Sequence, residues 1–181
     1  MHQLTTLLLT IVLTKTGFTQ GYINSTKSAS KKLFVKYMDK QKYQATINET
    51  DSSLTFLLRD PKVQNLDIVL YFDNRGKCDK EIQTLSCDSC YHKYLNNILA
   101  SDYYYWTQVD TNTYFAKSHK RLILTTKLDK PFSFMTRRST LNNNDYKQKI
   151  KDASTSDECQ RATMVLQNTG DRISPKRHLE F

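Results

Sequence analysis

Leu66-Asp67-Ile68-Val69-Leu70-Tyr71-Phe72, then Asp73-Asn74-Arg75-Gly76, then Lys77 to Leu85, is the stretch that decides the fold class. Leu66, Ile68, Leu70 and Phe72 alternate onto one face, the period of a half-buried strand. Asp73 suits the start of a type I turn, and Gly76 can take the positive φ of the residue that closes it. Two strands joined by so short a turn pair antiparallel, which sets the chain apart from the parallel α/β architectures.

The segment after the hairpin changes period. Cys87, Tyr91, Tyr94, Leu95, Ile98 and Leu99 recur at three- and four-residue spacing, which predicts an amphipathic helix over 87–100. Ser86 is the expected N-cap, and Asp88 places negative charge in the first turn, where the helix dipole favours it. His92, Lys93, Asn96 and Asn97 fall on the water side. Further on, Tyr103–Val109 and Tyr114–Lys117 flank a turn at Asp110-Thr111-Asn112-Thr113. Arg121–Leu128 is a β-branched run, and Pro131–Met135 is expected as an edge strand. Upstream, Leu54–Leu58 reads as a strand stopped by Asp60-Pro61, and residues 33–47 fit a helix turn or a strand equally. The expected fold is α+β: a small antiparallel sheet with one amphipathic helix packed on one face, in the order strand, hairpin, helix, strands.

The chain has 181 residues, enough for one ordinary domain. Residues 1–20 read as a signal peptide: Leu4–Leu13 is almost wholly apolar or Thr, too short to span a bilayer, and Gly17 and Thr19 supply the small residues a peptidase reads. A secreted or periplasmic location follows. Residues 21–42 are expected as a flexible basic segment and 43–140 as the single α+β domain. Residues 141–181 are expected as a mostly disordered polar tail, with at most a partly formed helix near 156–167. Asn24-Ser25-Thr26 and Asn48-Glu49-Thr50 are glycosylation acceptor triplets, a pattern that also arises by chance in Asn- and Thr-rich chains. The formal charge of +9 is segregated. Residues 117–151 hold ten basic side chains against Asp129 and Asp145, whereas 43–116 is net acidic.

Four cysteines, Cys78, Cys87, Cys90 and Cys159, form an even set, which in an exported chain favours disulfides. Cys78 starts the second hairpin strand on the face of Ile82, and Cys87 heads the helix stripe, so a bridge from Cys78 to Cys87 or Cys90 is preferred. Two other chemistries use the same atoms. Cys87-Asp88-Ser89-Cys90 is a Cys-x-x-Cys at a helix N-terminus, where a lowered thiol pKa permits thiol–disulfide exchange. Zinc would take Cys78, Cys87 and Cys90 with His92, His119 or Cys159, but there is no matching second Cys-x-x-Cys. No Gly-x-Ser-x-Gly, His-Glu-x-x-His, phosphate-cradling glycine loop or dinucleotide fingerprint occurs, and no catalytic residue, metal or small-molecule cofactor is nominated. Asp79 and Glu81 are expected on the outer strand face, in solvent.

Tyr103-Tyr104-Tyr105-Trp106 is the densest aromatic run. With Lys117, Lys120 and Arg121 downstream, Tyr104 and Trp106 make the candidate binding face, since exposed aromatics stack on sugars, peptides or bases. Lys117, Lys120, Arg121, Lys127, Lys130, Arg137 and Arg138 are interrupted by a single acid, Asp129. A hairpin over 117–130 is expected to project several of them beside Trp106. An anionic polymer or an envelope protein is the expected partner.

Val69-Leu70-Tyr71-Phe72-Asp73-Asn74-Arg75-Gly76-Lys77-Cys78, the following helix with Tyr94-Leu95-Asn96, then Trp106 and a strand-rich end resemble small uncharacterised exported proteins of Bacteroidetes-type bacteria. In those a Phe-x-x-x-Gly-x-Cys hairpin precedes a helix, a lone Trp and further strands. The leader's Phe18-Thr19-Gln20 end is similar too. The resemblance covers about residues 65–128, implies a secreted or periplasmic location and brings no activity. The functional expectation is an exported, non-enzymatic binding or accessory module at the cell envelope. The alternative is a redox or zinc protein built on Cys87 and Cys90.

Overall fold

The computed structural model describes residues 21–59, 65–117 and 121–170, with side chains to residue 156. The expected leader at 1–20, the Asp60-Pro61 stop, His119, Lys120, the side chain of Cys159 and the last residues of the tail lie outside them. The chain divides into two units, residues 1–140 and 141–181.

The first unit is α+β, as the hairpin and helix imply, but its sheet is larger than expected and it carries two helices. The elements are α1 (Lys27–Gln41), β1 (Ala45–Glu49), β2 (Ser53–Leu58), β3 (Leu66–Phe72), β4 (Cys78–Leu85), α2 (Asp88–Leu99), β5 (Trp106–Asp110), β6 (Thr113–Ala116), β7 (Leu122–Thr125) and β8 (Ser133–Arg138). All strands join one antiparallel sheet in the order β1-β2-β3-β4-β8-β7-β6-β5. The connectivity is therefore one pattern used twice: a helix followed by a four-strand meander. The last strands of the two meanders, β4 and β8, pair at the centre. The segment at 131–135, expected at an edge, thus begins the strand that joins the halves.

Cross-strand register locates the core. Phe56 opposes Ile68, Ile68 opposes Gln83, and Gln83 opposes Phe134, a single row over four strands. Phe34 of α1 stacks on Phe56 with ring centroids 3.9 Å apart, and Tyr91 and Tyr94 of α2 approach Phe134 at 6.3 and 6.1 Å. Both helices therefore cover the same sheet face.

The segment expected to be flexible forms α1. Thr26 caps it, its hydroxyl oxygen accepting the Ala29 N–H at 3.3 Å, and Lys42 ends it in the left-handed region. Ser30, Phe34 and Met38, four apart, are its buried stripe. That stripe is narrow, and exposed Leu33 and Val35 obscure it in the sequence. In α2 the expected stripe is correct, with Tyr91, Leu95 and Ile98 buried, but the N-cap is Cys87, one residue later than expected.

The second unit holds α3 (Asn143–Gly170), where the sequence suggested mostly disorder. Asn142 starts it: its side-chain oxygen accepts the N–H groups of Asn144 and Asp145 at 3.0 and 2.9 Å. Part of the Asn-rich stretch is thus a helix cap. Among the described residues no helix is long and apolar enough to cross a membrane.

Removing the Phe34 ring should cost about 3–5 kcal/mol, the usual loss for a buried aromatic. Leu33→Ala, on the exposed side of α1, should stay within about 0.5 kcal/mol. Urea denaturation of the two variants checks the placement of α1, and equal midpoints would contradict it.

Candidate functional site

Three places in the first unit gather chemistry. The first is the end of the sheet where β5 and β7 begin and β6 and β8 finish. Trp106 opposes Ala116, and the Lys117 N–H donates to the Tyr105 carbonyl at 3.2 Å, so Tyr105 and Lys117 stand opposite each other. Ser139 N–H donates to the Arg121 carbonyl at 2.8 Å, and Arg138 opposes Leu122. Tyr105, Lys117, Arg121 and Arg138 therefore lie along four adjacent strand ends, a span of about 14 Å at ordinary strand spacing.

The aromatic assignment at this end is reversed from expectation. Tyr104 is buried, and Trp106, stacked on it at 5.5 Å, packs against the core. Tyr103 and Tyr105 are the exposed pair, at 56% and 62%. A turn at 102–104 and a φ of 49° at Tyr105 break the alternation that a strand from Tyr103 would have. A left-handed tyrosine is costly backbone, and such positions concentrate at functional sites. The basic residues do not share one face either. Lys127 and Lys130 follow the other end of β7, and Arg137 lies opposite Lys80, on the sheet face away from the helices.

The second place is the N-terminus of α2. Cys87 and Cys90 form a disulfide, and Cys78 is buried and not bridged. The preferred Cys78 bridge is therefore replaced by the short one. Cys78 does lie on the core face, but burial, then the nearby Glu81, pushes its thiol up to about 12, so it is unreactive at neutral pH. Among the described residues no three His, Cys, Asp or Glu side chains converge as a metal site. His92 instead pairs with Asp88 at 3.4 Å on the exposed side of α2.

The third place was invisible in the sequence. Glu81 and Gln83 are fully buried on the helix-covered face, not solvated. The register explains it: Tyr71 opposes Lys80 but Phe72 opposes Cys78, so Asp79 is the extra residue of a β-bulge. The bulge sets Cys78 and Glu81 on one face although their spacing is odd. Glu81 then sits in the row Leu54, Leu70, Glu81, Thr136, Leu124. Gln83 Nε2 donates to one Glu81 oxygen. The other Glu81 oxygen, Gln83 Oε1, Thr136 Oγ1 and the Tyr94 hydroxyl have no partner among the described residues. Burial holds the Glu81 carboxyl up at about 8, with the Gln83 bond opposing. Burial first, and the Glu81 charge as a lesser cause, raise Tyr22, Cys78, Tyr94 and Tyr104, which lie in the segment before α1, in β4, in α2 and in the α2–β5 connection.

Compared with known protein families, curated proteins and solved structures, the chain matches none.

Between pH 4.5 and about 8 the folded Glu81 keeps its proton while an unfolded glutamate has lost it. Stability should therefore be greatest below the unfolded value, fall as pH rises, and level off above about 8. The slope contributed is at most about 1.4 kcal/mol per pH unit. Glu81→Gln keeps an oxygen for Gln83 and cannot ionise, so it should flatten that slope and stabilise the protein at pH 8 relative to wild type. Urea midpoints at pH 5 and pH 8 measure both, and an unchanged slope would place the carboxyl in water.

Proposed function

We propose that this chain is an exported, non-enzymatic binding module of the cell envelope that holds an anionic polymer at the Tyr103–Tyr105–Lys117–Arg121–Arg138 strand ends. Export rests on the apolar leader and on the likeness to Bacteroidetes-type exported proteins. The binding assignment rests on one observation: two exposed tyrosines, one in a costly left-handed backbone, share a sheet end with three basic residues. Lys120 stands between Lys117 and Arg121 in the sequence and is the third positive charge of residues 117–121.

The physics of such a face is counterion release. Lysines and arginines on neighbouring strands attract a chain of sulfates, carboxylates or phosphates, and the ions released drive association. Tyrosine rings add a stacking surface for sugar or base faces. Long cationic side chains without a preset geometry read charge density, so little sequence or sugar selectivity is expected.

Heparin retention tests the assignment. Lys117→Glu/Arg138→Glu should elute at clearly lower salt than wild type, with the salt slope reduced by about two. Lys127→Glu/Lys130→Glu, the same charge change at the opposite end of β7, should elute near wild type. Equal loss in the two pairs would reduce the effect to net charge, and no loss in either would end the proposal. Mass analysis of the chain after expression with its leader should give a mature N-terminus at Gln20 or Gly21, and an unprocessed cytosolic chain would refute export.

A further inference from the structure

At the start of α2 the half-buried Cys87 stands one helical turn before Tyr91, which lines a cleft. Cys87 is the N-cap, half-buried, and its Sγ accepts the Cys90 N–H at 3.1 Å with Ser89 Oγ 3.3 Å away. Its disulfide partner Cys90 is buried. Tyr91 and Leu95 continue the four-residue stripe below Cys87, and both line a cleft of about 370 Å³ whose other wall includes Lys127, Leu128 and Phe132. Two bonds set the walls: the Tyr91 hydroxyl donates to the Thr126 carbonyl at 2.5 Å, and the Leu85 N–H to the Phe132 carbonyl at 3.0 Å. Phe132 is itself exposed, with a φ of 53°.

A bridge across only two intervening residues restricts the unfolded chain little, so stapling explains it poorly. The surroundings of Cys87 suit a different use. A thiolate there would receive an N–H bond and the positive end of a twelve-residue helix, the environment that stabilises the reduced, ionised form.

We propose that Cys87–Cys90 is an exchangeable disulfide that oxidises a dithiol carried by an extended peptide lying in this cleft. A client thiolate attacks Cys87 Sγ, which belongs to the less buried of the two cysteines. The Cys87–Cys90 bond breaks, its electron pair leaves on Cys90 Sγ, and that sulfur takes up a proton. The second client thiolate attacks the client's own sulfur in the mixed disulfide, closing the client's bridge and expelling Cys87 as a thiolate. Two electrons pass from client to protein; of the client's two thiol protons one ends on Cys90, and the other goes to solvent because Cys87 leaves as the thiolate. The Cys90 N–H and the helix dipole stabilise the expelled thiolate, which makes the disulfide the oxidising partner. Phe132, Tyr91 and Leu95 offer apolar contact to the client's chain, which holds the reacting sulfurs together. The chain is here a stoichiometric oxidant, one client bridge per disulfide with no turnover, which leaves the non-enzymatic reading in place; the site is separate from the polymer-binding face, which lies at the opposite end of β7 and β8.

The test uses the oxidised full chain and a reduced synthetic peptide with two cysteines flanking an aromatic residue. The peptide should become oxidised as Cys87 and Cys90 gain alkylatable thiols one for one, while Cys78 stays unlabelled. Cys90→Ser, with Cys87 first converted to its mixed disulfide with thionitrobenzoate, should release the thionitrobenzoate and hold a one-cysteine version of the peptide as a mixed disulfide through Cys87. Phe132→Ala, which leaves both sulfurs in place, should slow peptide oxidation about tenfold without moving the midpoint in glutathione buffers. A disulfide that withstands excess reduced glutathione in the folded chain would overturn the proposal. So would failure of Cys90→Ser to trap the peptide, or an unchanged rate in Phe132→Ala. Cys87→Ser/Cys90→Ser should keep the wild-type far-ultraviolet circular dichroism, and loss of that signal would make the bridge a structural staple and overturn the proposal equally.

Discussion

The antiparallel ladder between β4 and β8 is the constraint on which the first unit depends. Lys80 to Thr84 pair with Arg137 to Ser133, and this ladder joins the two meanders, with α2 lying over the junction itself. The rung at its centre is polar on the helix side: Glu81 faces Thr136, and Gln83 is its neighbour on the same face. An apolar rung would pack more cheaply, since a carboxyl loses its hydration on burial. A polar rung adds register. A slip of one residue would turn Glu81 out to solvent and bring Lys80 or Ile82 under the helices, breaking the Gln83 bond and the row of aromatics together.

Much of this fold can be read from the chain. The Leu66–Leu85 hairpin, the α2 stripe and the turn before Thr113 carry local signals, and all three are where the residues place them. The rest is hidden for identifiable reasons. α1 buries one side chain per turn and exposes Leu33 and Val35, so its period is faint. β8 begins with Ser133 and ends in two arginines, an edge-like composition, and becomes central because long-range pairing overrides local preference. Alternation counted from Cys78 puts Glu81 on the outer face, and the count fails because Asp79 bulges. Strand alternation puts Tyr104 and Trp106 on one face without saying which pair is buried, and nothing in Tyr-Tyr-Tyr-Trp announces the left-handed residue at Tyr105 that leaves Tyr103 and Tyr105 exposed.

The two surface sites follow from one piece of geometry. β7 and β8 run antiparallel, with Leu122 beside Arg138 at one end and Thr125 beside Met135 toward the other. The first end gathers the tyrosines and the Lys117–Arg121–Arg138 charges. Beyond the other lies the 126–132 segment that faces α2 near its disulfide. Lys127 and Lys130 accordingly belong with the disulfide's cleft, although in sequence they belong to the same basic run as Lys117 and Arg121. Segregated charge along the chain is thus redistributed by a strand only four residues long.

The doubled connectivity also bears on how the chain reaches this state. Each meander pairs only strands adjacent in sequence, with short turns at residues 73–76 and 111–112 among them, so each half is built from local contacts that close small loops. Such contacts form quickly. Joining Lys80 to Arg137 instead closes a long loop, and its entropy must be met before the central ladder returns any energy. The junction is therefore the costliest closure in the sheet. Its two strands are complementary, so β4 of one molecule is equally a fitting neighbour for β8 of another. An exchanged dimer, with the halves swapped between chains, is the misassembly this topology favours when the protein folds at high concentration.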